Sequence, residues 1–153
     1  MEAVRSFLGT DVYSSGKVIG RVTDFLINTK NNTIGGIECL SKTGIIRSKF
    51  FVDSRGIRHV DKNGIVIDKN YISYKKQFNE EFAADFAISH DNRFSSGSVG
   101  DFYFDPITFK LNSVSVKNGF LDDLIFGRDI IPINDVSVTN KGMVILKNRR
   151  DNR

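Results

Sequence analysis

Ser15-Gly16-Lys17-Val18-Ile19-Gly20-Arg21-Val22-Thr23-Asp24-Phe25-Leu26-Ile27-Asn28 is the stretch whose reading decides the fold. It opens on a glycine turn, passes a second glycine and alternates into an apolar run. Serine and glycine supply the local hydrogen bonds and the positive φ that turns require. Gly16 therefore marks a turn, and the residues from Val18 to Asn28 a strand. Gly20, inside that strand, predicts a bulge or a close backbone approach. A less regular copy follows as Ser96-Gly97-Ser98-Val99-Gly100-Asp101-Phe102-Tyr103-Phe104-Asp105.

Outward from this stretch the same rhythm continues. A short first strand is expected over Phe7 to Tyr13. Thr29-Lys30-Asn31-Asn32 turns the chain into a strand over Thr33 to Leu40, and further strands are expected over 45–52, 57–60 and 65–67. Asn63-Gly64 is a strong hairpin signal. Short strands with turns roughly every 8–12 residues argue a small barrel or sandwich and exclude a parallel α/β sheet.

Tyr71, Tyr74, Phe78 and Phe82 fall on a helical stripe, which predicts a short connecting helix. Beyond it the strand rhythm resumes over 86–90, 98–105 and 109–117. Asn118-Gly119 is a second hairpin signal, and a segment over 124–132 leads into a last pair of strands. The ends of the two halves also match: Val60-Asp61-Lys62-Asn63-Gly64-Ile65-Val66-Ile67 corresponds to Val138-Thr139-Asn140-Lys141-Gly142-Met143-Val144-Ile145. Matching starts and ends, with turns in the same order between them, indicate an internal repeat. The expected organisation is a first unit over 1–70, a connector over 71–83, a second unit over 84–147 and a basic tail over 148–153.

With 153 residues, 40% of them apolar, the chain can build one ordinary domain or two small ones. No apolar run approaches the roughly 20 residues of a membrane-spanning helix. No secretory h-region opens the sequence, and Cys39 is the single cysteine. These features suit a cytoplasmic setting. The net charge of +4 is uneven: through Lys76 there are 13 Lys and Arg against 7 Asp and Glu, and thereafter 9 against 11. A basic first half suits an acidic partner, nucleic acid or an anionic surface, or simply solubility. Phenylalanine is skewed the other way, with four before Lys76 and nine after it, which predicts a more aromatic core in the second half.

The residues offer little catalytic chemistry. His59 and His90 are too few for a zinc set of about four ligands, and Cys39 on an apolar strand reads as a core residue. Asp122-Asp123 and Glu80-Glu81 are adjacent carboxylates, which on a strand point to opposite faces. The glycines follow turns and form neither a phosphate-binding loop nor a dinucleotide fingerprint. No catalytic residue, cofactor or metal site is expected. The candidate partner-binding cluster is Arg47, Lys49, Arg55 and Arg58. Arg47 and Lys49 are two apart and share a sheet face, while Arg55 and Arg58 follow across a turn. The cluster lacks the interleaved aromatics of a single-strand binder.

The opening pattern, from Val12 through the Gly16 turn and the Ile19-Gly20 pair to Asp24 and the apolar strand after it, resembles the PRC-barrel family. The segment Ile131-Pro132-Ile133-Asn134-Asp135-Val136, running on to Leu146, resembles that family's closing element. The chain is thus similar to two tandem PRC-type units, with Gly16, Gly20, Asp24, Gly100, Pro132 and Asp135 as signature positions of the fold. The family's settings include the cytoplasmic part of the photosynthetic reaction-centre H subunit and the C-terminal domain of a ribosome-maturation factor. The resemblance implies an all-β fold of two small antiparallel barrels and a non-enzymatic adaptor of the bacterial or archaeal cytoplasm. Such an adaptor would bind a protein partner, or itself, through an edge strand or groove. The alternative is a ribosome- or RNA-associated factor using the basic first half.

Overall fold

The computed structural model describes residues 1–42, 48–76, 80–90, 97–117, 129–139 and 142–146. These residues form strands joined by turns and short 3-10 segments, with no α-helix among them. Beta-branched and aromatic residues are frequent in the strands, as a pleated, half-buried surface favours.

The chain enters through β1 (Glu2–Ala3) and a 3-10 turn over Val4–Phe7. The first sheet then comprises β2 (Asp11–Ser14), β3 (Lys17–Asn28), β4 (Thr33–Ser41), β5 (Lys49–Asp53), β6 (Ile57–Asp61), β7 (Gly64–Ile67) and β8 (Ile72–Ser73). Their order is β6-β7-β2-β3-β4-β5-β8. A ninth strand, β9 (Glu80–Phe82), leads through a 3-10 turn over Ala83–Asp85 into the second sheet. That sheet comprises β10 (Ala87–His90), β11 (Gly97–Phe104), β12 (Leu111–Lys117), β13 (Asp129–Pro132), β14 (Val136–Thr139) and β15 (Met143–Leu146), in the order β13-β12-β11-β10-β15-β14. Read from the other end, the second order matches the first strand for strand as far as β5. The pairings correspond too: β2 runs parallel to β7, and β10 parallel to β15.

The bulges also coincide. In β3 the register slips between Val22 and Asp24 and again between Leu26 and Ile27. In β11 it slips between Val99 and Asp101 and again between Tyr103 and Phe104. The turn after β3 is closed by Asn28, whose Oδ1 accepts from the Lys30 and Asn31 amides. The turn after β11 is closed by Asp105, which accepts from the Ile107 and Thr108 amides. These two turns bind each other: the Ile34 amide donates to the Phe109 carbonyl at 2.7 Å, and the Leu111 amide to the Asn32 carbonyl at 3.0 Å.

Each sheet also lends a strand to the other. β3 is longer than β2, and the overhang at Leu26, Ile27 and Asn28 pairs with β9, the entry to the second sheet. Reciprocally, β1 pairs with Tyr103 and Phe104 at the end of β11. Burial follows this exchange. The start of β3 alternates, but Asp24, Phe25, Leu26 and Ile27 are all buried, because both faces are covered there and alternation gives way to a continuous apolar run. One core spans both sheets. The rings of Phe7, Phe25 and Phe104 meet with centroids 5.5–6.0 Å apart, and Phe86 meets Phe102 edge-on at 5.1 Å.

Several expectations are corrected. Neither sheet order returns to its first strand among the described residues, so these are open sheets and not two closed barrels. The overhanging edges are taken up across the halves instead of closing each half on itself. The sheets are mixed and not purely antiparallel, through the β2–β7 and β10–β15 pairs. No connecting helix stands among the described residues: Tyr71 ends a 3-10 turn, β8 pairs with β5, and Phe82 lies in β9 opposite Leu26. Phe7 belongs to a 3-10 turn and not to a first strand. Phe109 has a φ of 62° and closes the turn before β12. The Asn118-Gly119 turn and the Asp122-Asp123 pair lie outside the described residues.

Candidate functional site

The basic cluster is built on two similar turns. Asp53 caps the 3-10 turn Ser54–Gly56 by accepting from the Arg55 amide. Asp68 likewise caps Lys69–Tyr71 by accepting from the Asn70 amide. Each aspartate then holds one arginine. Arg55 Nε lies 3.0 Å from Asp53 Oδ1, and Arg58 Nη2 lies 3.0 Å from Asp68 Oδ2. The Asn70 amide and Arg58 hold the Asp68 carboxyl below the usual carboxylate range.

Tyr71 joins the two turns. Its ring lies 5.9 Å from the Arg55 guanidinium carbon and 5.6 Å from that of Arg58. It sits directly on Gly56, where any Cβ would overlap the Tyr71 side chain. The structure thus brings Arg55 and Arg58 together around an aromatic ring that the sequence pattern had assigned to a helical stripe. The signal was present in Asp53-Ser54-Arg55-Gly56 and Asp68-Lys69-Asn70-Tyr71, two aspartate-capped turns of the same length. Lys49 stands apart on β5, 3.8 Å from the buried Glu38 carboxylate. Arg47 lies outside the described residues.

The second place is the seam between the halves. Asp24, only 9% exposed, accepts from the Phe25 amide at 2.7 Å and, across the seam, from the Ala84 amide at 3.4 Å. Asp101 repeats this, accepting from the Phe102 amide at 2.9 Å and from the Arg5 amide at 3.1 Å. Each aspartate sits in a bulge and pins the 3-10 turn that enters the opposite half. Between them lies a cavity of about 160 Å³, lined also by Val4, Leu8 and Phe102. Burial pushes the Asp24 carboxyl up to about 6, with Glu38 and Asp85 adding to the rise and the two amides opposing it. Asp101 is the residue that sequence comparison missed.

The expected signature positions fall at the following places in the fold. Gly16 has a φ of +76° in the β2–β3 turn. Gly20 lies at a bulge, where a Cβ would stand 2.5 Å from the Leu40 carbonyl oxygen. Gly100 lies within the β11 bulge. Pro132 ends β13 and precedes the 3-10 turn Ile133–Asp135. Cys39 is fully buried, and burial pushes its thiol far up, so it remains protonated. His59 is exposed, its Nε2 2.8 Å from Asp61 Oδ2. Among the described residues, no three His, Cys, Asp or Glu side chains gather as a metal site. No helix among them is long and apolar enough to cross a membrane.

Residues 1–71 match the family model of the PRC-barrel domain, an interaction domain of a generally non-catalytic family. No curated protein matches the chain.

Proposed function

We propose that this protein is a non-enzymatic interaction module of two PRC-type units, over 1–70 and 84–147, that binds a protein partner in the cytoplasm. The observation that carries this reading is the PRC-barrel match over residues 1–71. The common strand order of the two sheets, their coincident bulges and their paired aspartates support extending it to the second half.

Arg47, Lys49, Arg55 and Arg58 are the proposed outer contact for acidic groups. Arg55 and Arg58 already hold carboxylates, so a partner must compete with Asp53 and Asp68. The same pairing disfavours RNA as the ligand. Nucleic-acid affinity comes from cations that displace counterions on phosphate, and cations neutralised within the protein contribute less.

Affinity capture of the tagged protein from its native cells, with and without nuclease and across a salt series, tests the reading. A partner retained after nuclease treatment supports it; capture that vanishes with nuclease and falls steeply with salt overturns it. Replacing the four basic residues by serine is expected to weaken capture only about two- to fivefold, as exposed ion pairs contribute little each.

A further inference from the structure

A groove of about 330 Å³ opens at one end of the first sheet, between the β2–β3 turn and β8. Its apolar floor is Ile19, Phe50 and Ile72. Lys17 and Lys69 stand at its mouth, both exposed, and Tyr74 stands on the rim at 75% exposure. Among the described residues that form it the rest are serines, and none is a carboxylate. This contrasts with the Arg55–Tyr71–Arg58 patch, where each cation has an acidic partner. The wall carrying Ile72 belongs to β8, the last strand in the sheet's order, which among the described residues pairs only with β5.

Each of these features selects something in the ligand. Two cations without a lining carboxylate call for negative charge. An apolar floor beside them calls for a hydrophobic side chain next to that charge. A terminal strand as the wall calls for an extended backbone that can lie along it. A nucleic-acid strand needs a longer basic track and successive stacking rings, whereas this groove is short and carries two lysines and one exposed ring.

We infer that this groove takes an extended acidic peptide segment of a partner protein. Carboxylates of the segment meet Lys17 and Lys69, and an apolar side chain seats on Ile19, Phe50 and Ile72. This deepens the protein-binding reading above and rests on it.

The test uses the full chain, isotope-labelled, and follows amide shifts in solution. The probe is a blocked hexapeptide of four glutamates around one leucine and one phenylalanine. Its glutamine counterpart, a single-stranded RNA oligonucleotide and vesicles of anionic lipid are the comparisons. Saturable shifts at Ile19, Phe50, Ile72 and Tyr74 with the acidic peptide are expected, and roughly tenfold weaker binding by the glutamine peptide. The double variant Lys17→Ser/Lys69→Ser should lose a similar factor. Lys17→Glu/Lys69→Glu should instead prefer a lysine version of the peptide.

Shifts that fall elsewhere, equal binding of the two peptides, unchanged binding by both lysine variants, or tighter groove binding of RNA or vesicles would overturn the inference. Failure here is separable from failure of the broader reading. A cellular partner captured equally by wild type and by Lys17→Ser/Lys69→Ser removes the groove and leaves the module; nuclease-dependent capture removes the module itself.

Discussion

The seam aspartate gives the sharpest quantitative prediction. Asp24 has a carboxyl raised from 3.8 to about 6 by burial. A native pKa above the unfolded one means that the folded state takes up its proton first as pH falls. The stabilisation is therefore complete below the unfolded value and lost as pH rises through about 6. The full shift corresponds to about 3 kcal/mol. Between about pH 7.5 and pH 5 the gain on acidification is about 1.4 kcal/mol. Asp24→Asn removes the titration while keeping one oxygen to accept from Phe25 or Ala84. At neutral pH the variant is expected near or above wild-type stability. The relief of charge burial, about 3 kcal/mol, offsets the loss of one acceptor, about 1–3 kcal/mol.

Urea unfolding of both proteins across this pH range reads the effect, and comparing their slopes removes the contribution of groups that do not interact with Asp24. Wild type should gain stability relative to Asp24→Asn as the pH falls. Identical pH dependence in the two proteins, or a wild-type loss relative to the variant on acidification, would refute the reasoning.

Four further outcomes can be checked by the same unfolding assay or by hydrogen exchange. Gly20→Ala places a Cβ 2.5 Å from the Leu40 carbonyl oxygen and 2.9 Å from the Phe50 ring, and should cost about 2–4 kcal/mol. Phe104→Ala removes the ring shared by Phe7 and Phe25, with an expected loss of about 3–5 kcal/mol. Asp101→Ala frees the Arg5 and Phe102 amides, so their hydrogen exchange should accelerate while that of the β6–β7 hairpin is unchanged. Tyr71→Ala removes the ring between Arg55 and Arg58 and should cost about 1–2 kcal/mol, since each exposed cation–ring contact contributes about 0.5–1 kcal/mol.

What the sequence reveals is local. Turn chemistry at Gly16 and Asn63-Gly64, alternation along the start of β3 and the short aliphatic run of β7 place most of the first sheet's strands, because those signals act within a few residues. What it conceals depends on distant partners. Parallel pairing of β2 with β7 leaves no mark on periodicity, which is the same for either strand direction. The aromatic spacing from Tyr71 to Phe82 imitates a helix, yet Tyr71 packs on Gly56 and Phe82 pairs with Leu26.

The copy of the opening stretch is also shifted in space. Matching Gly97 to Gly16 sets Asp105 of the following turn against Asp24, whereas the strand pairing sets Gly97 opposite Ile88 as Gly20 stands opposite Val12. On that register Asp101 stands where Asp24 does, and Gly100 falls at the place of Thr23. The candidate site was half legible: Arg55 and Arg58 were visible as charges, but their neutralising aspartates and the ring between them follow from two turns meeting in space.

The exchange of β1 and β9 has a consequence for the order in which the protein can be made. During synthesis β3 emerges long before β9, and until Glu80–Phe82 arrive the edge of Leu26, Ile27 and Asn28 away from β4 has no partner strand. β1 emerges before the other described strands but must wait for Tyr103 and Phe104. The earliest segment therefore docks among the last, and neither half can be finished before the other has begun. Such long-range pairings slow folding and leave an unpaired strand edge exposed meanwhile. In return, completion becomes a single event: once the two turns at Asn32 and Phe109 clasp, both sheets gain their missing strands together.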